Sequence, residues 1–133
     1  MKQLVLAGVL FACVSAPAFL AGPASGMHAP FESVLVKPLN GSGVTGRISY
    51  RAVANGTAVS SRLQHVPAGS IARVLLRAGT CRRHGASFAV VVAGRLRFHG
   101  APVPIAVVSD GRHVFTVVVD GREAACAAIP GMS

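Results

Sequence analysis

Leu39-Asn40-Gly41-Ser42-Gly43-Val44-Thr45-Gly46 begins a stretch that continues through two alternating segments, then Pro67-Ala68-Gly69, then a further segment ending at Gly79-Thr80-Cys81. Within residues 47–53, Ile48, Tyr50 and Ala52 alternate with Arg47, Ser49 and Arg51. A period of two puts the first set on a buried strand face and the cations on a wet one. Asn55-Gly56 supplies residues that tolerate the positive φ of a tight hairpin, and residues 57–64 return with Val59 and Leu63 on one side. Residues 70–77 place Ala72, Val74 and Leu76 on one face and Ile71, Arg73, Leu75 and Arg77 on the other. The stretch reads as strands divided by turns.

The rest of the chain repeats that pattern. Residues 31–37 form a β-branched and aromatic segment stopped by Pro38. Beyond Cys81, Arg82-Arg83-His84-Gly85 reads as a loop. The uninterrupted apolar run in residues 86–93 (Phe88-Ala89-Val90-Val91-Val92) predicts a central strand. In residues 95–99, Leu96 and Phe98 point inward, with Arg95, Arg97 and His99 outward. Pro102 and Pro104 confine a strand over 103–109 to an edge. Asp110-Gly111 and Asp120-Gly121 predict hairpin turns around residues 112–119, and residues 122–129 carry Cys126. Alanine also favours helices, so 124–129 admits a short helical piece. About eight or nine short strands with such turns predict an all-β sandwich or barrel over residues 31–130.

Residues 1–21 read as a secretory signal peptide: Met1-Lys2, an uncharged run from Leu4 to Val14, then Ala16-Pro17-Ala18 and Phe19-Leu20-Ala21 as small-x-small cleavage patterns. Pro17 interrupts the run, which falls short of the roughly 20 residues of a spanning helix. Leu10-Phe11-Ala12-Cys13 offers an alternative, a lipoprotein anchored through Cys13, against which the bulk of Phe11 counts. Residues 22–30, with His28, are rich in Gly, Pro, Ala and Ser and read as a flexible mature N-terminus. Signal removal leaves Cys81 and Cys126 as an even pair in an oxidising compartment, periplasmic or extracellular, and predicts a disulfide between them.

The formal charge is +9 for the 133 residues, and loss of Lys2 leaves +8. Lys37 is then the sole lysine among arginines. Such a field attracts acidic partners. The candidate anion-binding residues are Arg47, Arg51, Arg95 and Arg97 on outward strand positions, with Arg82 and Arg83 in a loop. The partner classes are an acidic glycan, a lipid headgroup or an acidic protein. Stacking surfaces for nucleic acid are scarce, with one tyrosine and no tryptophan. A solvated strand face in an arginine-rich proteome would produce the same excess of arginine.

The turn order (Gly43-Val44-Thr45-Gly46, Asn55-Gly56-Thr57, Pro67-Ala68-Gly69, Gly79-Thr80-Cys81 and Ala125-Cys126-x-x-Ile129) resembles the copper/zinc superoxide dismutase-like fold, especially its small secreted, catalytically silent members. The resemblance implies a Greek-key β-sandwich stapled by Cys81–Cys126. It also implies a His-x-His copper pair on the strand before the first cysteine, where this chain has Leu75 and Arg77. Residues 116–119 likewise lack a late histidine ligand. The family's copper centre is therefore not expected, nor is a bound cofactor.

Other chemistries find little footing. His84, His99 and His113 are weak candidates for a rearranged copper or zinc site, the alternative reading, but no two lie close in sequence. Of the four carboxylates, Asp110 and Asp120 occupy Asp-Gly turns, where local backbone is the expected partner. Gly41-x-Gly43-x-x-Gly46 lacks the helix that a dinucleotide fingerprint needs. A non-enzymatic protein is expected. Asn40 and Asn55 also match glycosylation acceptors in exported chains.

Overall fold

Alternation decides which side chains meet, and the computed structural model follows it through the described residues, 31–131. The expected signal peptide, Cys13 and His28 lie outside the described residues. The strands are β1 (Glu32–Pro38), β2 (Thr45–Val53), β3 (Gly56–Gln64), β4 (Ala72–Gly79), β5 (His84–Val92), β6 (Arg95–Phe98) and β7 (Ala101–Pro102). After a one-turn helix, α1 (Ile105–Val108), come β8 (His113–Val119) and β9 (Arg122–Ala128).

One antiparallel sheet runs in the order β3-β2-β1-β9-β8-β4-β5-β6-β7. The β3 edge also meets β6, where Ala58 pairs with Arg95 and the Val59 amide donates to Gly94 O at 2.9 Å. That contact closes eight strands into a barrel. The expected two-sheet sandwich is corrected accordingly: the edges that would end two sheets are hydrogen-bonded to each other, which removes them.

Inward positions fill the interior. Ile48 and Tyr50 of β2, Val59 of β3, Val74 and Leu76 of β4, Leu96 of β6, and Phe115 and Val117 of β8 are buried there. Tyr50 and Phe115 meet with ring centroids 5.7 Å apart at 59°, a tilted pairing that aromatic quadrupoles favour. The outward side of β8 is buried as well, at Val114 and Thr116, because Arg77 bonds Thr116 and the disulfide-bonded Cys126 lies directly across from it.

Four stretches bear on the sequence expectations. The apolar run in β5 is central in that it pairs with β4 on one side and β6 on the other, but it is not buried along its length: only Ala89 is fully buried, Phe88 stacks on Phe98, and Val92 is exposed. Residues 105–108 form a helix in place of a strand. Pro102 and Pro104 lack the N–H groups a ladder needs, and Pro104 instead opens the helical turn with φ −67° while Val103 and Val108 enter the core. Asp110-Gly111 leads from that helix into β8 and is not a hairpin. The alanine-rich stretch pairs throughout as β9, without a helical piece.

The opening stretch staples the barrel. Leu39 N donates to Ala124 O at 2.8 Å, Ser42 Oγ donates to the same carbonyl, and Asn40 Nδ2 donates to Glu123 O at 3.0 Å. Gly46 has φ +140°, and a Cβ there would collide with Arg62 O of β3. Only glycine fits this close approach.

Candidate anion-binding face

Strand register turns the outer face of β1–β3 into a grid. Leu35 pairs with Arg47, and Arg47 pairs with Arg62, so one row crosses three strands. The next row is Ser33, Ser49 and Ser60, with the Ser33 and Ser49 hydroxyls 3.0 Å apart. In the third row the Arg51 guanidinium stands 4.4 Å over the Phe31 ring, and Arg51 pairs with Ala58, which pairs with Arg95. Lys37 continues the outward positions of β1 at the other end. Glu32 pairs with Tyr50, an inward position, so strand alternation turns it away from this face.

Lys37, Arg47, Arg51, Arg62 and Arg95 thus share a face that carries no carboxylate. Among the described residues none of them has an acidic partner within 4.0 Å. Arg51 Nε is buried and has no hydrogen-bond partner. Like charges directly opposite across a ladder repel, so the Arg47/Arg62 pair costs stability. Arg97 lies one pair beyond Arg95 on β6 and donates to Gly100 O at 3.1 Å, which ties it down locally. His99 is exposed in the turn after β6, with φ +47°.

Arg82 and Arg83 are exposed on the β4–β5 loop. The Cys81–Cys126 disulfide, expected from the cysteine pair, is formed, with Cα atoms 5.8 Å apart. Cys126 pairs with Lys37, so the disulfide holds this loop beside the end of β1. There β1 and β9 pair only at Lys37 and Pro38, then part. The parting leaves a groove of about 360 Å³ lined by Val34, Leu35, Lys37, the disulfide and Ala128.

The carboxylates are engaged elsewhere. Glu123 takes His84 Nε2 at 2.9 Å and Arg77 Nε at 3.3 Å. His84 Nδ1 lies 3.1 Å from Thr80 O, so both ring nitrogens face oxygen acceptors. Arg77 Nε donates to Thr116 Oγ1 at 3.0 Å and Nη1 to Gly85 O at 3.1 Å. Asp110 Oδ1 accepts from the Arg112 amide and lies 2.8 Å from His113 Nδ1. The His113 hydrogen bond, opposed in part by burial, holds the Asp110 carboxyl below its usual range. Asp120 accepts not from its own turn but from the distant Ile71 amide, at 3.0 Å. Tyr50 is pushed above its ordinary value by burial, with Glu32 adding to the effect.

The candidate histidines do not converge. His84 is held by Glu123 and His113 by Asp110, while His99 lies against Phe98. Among the described residues no three of His, Cys, Asp or Glu gather into a metal-holding group. Both glycosylation candidates sit in the left-handed region, with φ +55° at Asn40 and +62° at Asn55, as turns require. Among the described residues, no helix is long and apolar enough to cross a membrane.

Sequence reasoning found Arg47, Arg51 and Arg95 but missed Arg62 and Lys37. The β2–β3 loop is Ala54-Asn55, with Val53 pairing Gly56. A turn centred on Asn55-Gly56 would have set Gln64 opposite Arg47. Comparison with family models, with curated proteins and with solved structures found no match.

Proposed function

We propose that this is an exported, non-catalytic β-barrel protein that binds an acidic partner through the outer face of β1–β3 and the adjoining Arg95. The observation that carries the reading is the directly opposed Arg47/Arg62 pair, set among three further cations with no carboxylate on the face. A multivalent anion relieves that repulsion on binding and gains from every cation. The engagement of Asp110, Asp120 and Glu123 in structural hydrogen bonds supports a role without catalysis. The disulfide supports an oxidising compartment, periplasmic or extracellular.

The strand order also supports a superoxide dismutase-like Greek key. β4, β5 and β6 are successive neighbours, and β8 returns to lie beside β4, giving the spatial order that defines the motif. Arg77, at a position where that family would place a copper ligand, is turned to Glu123 and Thr116. This supports a silent member of the architecture.

The test is retention on a sulfated-polyanion resin across a salt gradient. Wild-type protein is expected to elute late, Arg47→Glu/Arg62→Glu early, and Arg73→Glu/Arg122→Glu, with the same change in net charge, close to wild type. Equal losses in the two double variants would reduce the effect to net charge and overturn the reading.

A further inference from the structure

We propose that the acidic partner of this face is an anionic lipid surface, an inference that rests on the binding reading above and names its ligand. The cations do not stand alone. Leu35, in the same row as Arg47 and Arg62, is 61% exposed, and Phe31, in the row of Arg51, is 46% exposed. The groove beside Leu35 adds Val34, Ala128 and the disulfide as a further apolar wall, with Lys37 at its side. Charge and hydrocarbon are therefore presented together.

That combination separates the possible anions. A sulfated or carboxylated glycan offers charge but nothing to cover Leu35. A lipid surface offers phosphates to the guanidinium groups and, directly beneath them, the acyl boundary to Leu35 and Phe31. The two apolar anchors lie four residues apart on one extended segment, about 14 Å, with Arg51 over Phe31, Arg47 and Arg62 in the row of Leu35, and serines in the row between. Laterally mobile headgroups can adjust to each cation, whereas a folded acidic protein would need carboxylates already fixed at matching positions. Each cation close to an anionic leaflet contributes about fivefold in partitioning, so five on one face suffice for reversible surface binding without a spanning segment.

The absence of tryptophan from the chain makes the test clean, because Leu35→Trp introduces a single reporter. The probes are vesicles of phosphatidylglycerol and phosphatidylcholine, vesicles of phosphatidylcholine alone, a heparin-like resin and polyglutamate. L35W is expected to shift its emission to the blue with phosphatidylglycerol-containing vesicles only. Leu35→Ser is expected to lower vesicle cosedimentation about tenfold, the order expected for withdrawing part of a leucine side chain from an apolar environment. The same variant should elute from the resin unchanged. Equal binding to pure phosphatidylcholine, or cosedimentation without an emission shift in L35W, would overturn the lipid assignment. Arg47→Glu/Arg62→Glu sensitivity on the resin with no vesicle binding would overturn it while leaving the anion-binding reading standing. A blue shift with polyglutamate but not with vesicles would assign the face to an acidic polypeptide and overturn it as well. Failure on both resin and vesicles would remove the two readings together.

Discussion

Glu123 is where a single side chain decides most. It is a partly buried carboxylate that answers both Arg77 and His84, and its own carbonyl accepts from Asn40. Glu123→Gln keeps the shape but leaves the Arg77 guanidinium without its counter-charge, and should cost about 2 kcal/mol. Chemical denaturation would show the loss as a lower midpoint at unchanged slope. Gly46→Ala should cost more, because its Cβ collides with the Arg62 backbone at a φ that side chains rarely adopt. Two groups make stability depend on pH. Asp110 titrates below its ordinary 3.8 in the fold, so its contribution is present above that value and lost as pH falls through the depressed one. Tyr50 titrates above its ordinary 10.0, so its contribution is full below that value and lost as pH rises through the raised one. As the only tyrosine, it reports directly. Tyrosinate absorbance should appear only above the ordinary range, and its appearance at pH 10.0 in folded protein would contradict the burial of Tyr50.

At the scale of elements, the β2–β3 hairpin carries the opposed arginines, and its register shows how far sequence reading reaches. The alternation of Ile48 and Tyr50 with Arg47 and Arg51 identified the inner and outer faces correctly. The partner across the hairpin depended on the turn. A slip of one residue at Asn55 moves every pairing by two, which keeps each face but changes each neighbour. Arg62 was therefore missed as the partner of Arg47. Composition also concealed the helix at 105–108, since Val107-Val108 has the β-branched character of a strand and only the missing N–H groups of Pro102 and Pro104 argue otherwise. Because Arg47 and Arg62 repel, Arg62→Thr should raise unfolding stability by about 0.5 kcal/mol while weakening polyanion retention. Loss of both stability and retention would mean the pair is not repulsive. The disulfide closes a separation of 45 residues, and on the chain-entropy account it contributes about 4 kcal/mol. Cys81→Ala/Cys126→Ala should unfold at correspondingly lower denaturant and release the Arg82-Arg83 loop from β1.

For the whole molecule, period-two patterning and Asx-Gly turns made the all-β class and most of the strand boundaries legible. Asp120-Gly121 shows why: its φ angles of +49° and +83° are what a two-residue hairpin requires. Closure was not legible, because it rests on one pairing, Ala58 with Arg95, and the Val59–Gly94 hydrogen bond beside it. No local pattern encodes a contact between residues so far apart in sequence. The same closure carries Arg95 up against β3 and completes the cationic face. The charge was legible from composition; its concentration on one face, clear of every carboxylate, came from register and closure. The most direct test is to map the face by backbone amide NMR shifts during titration with a sulfated oligosaccharide. The account predicts that the largest shifts fall on Lys37, Arg47, Ser49, Arg51, Ser60, Arg62 and Arg95. Shifts spread evenly over these and the amides of Arg73, Arg112 and Arg122 would contradict it.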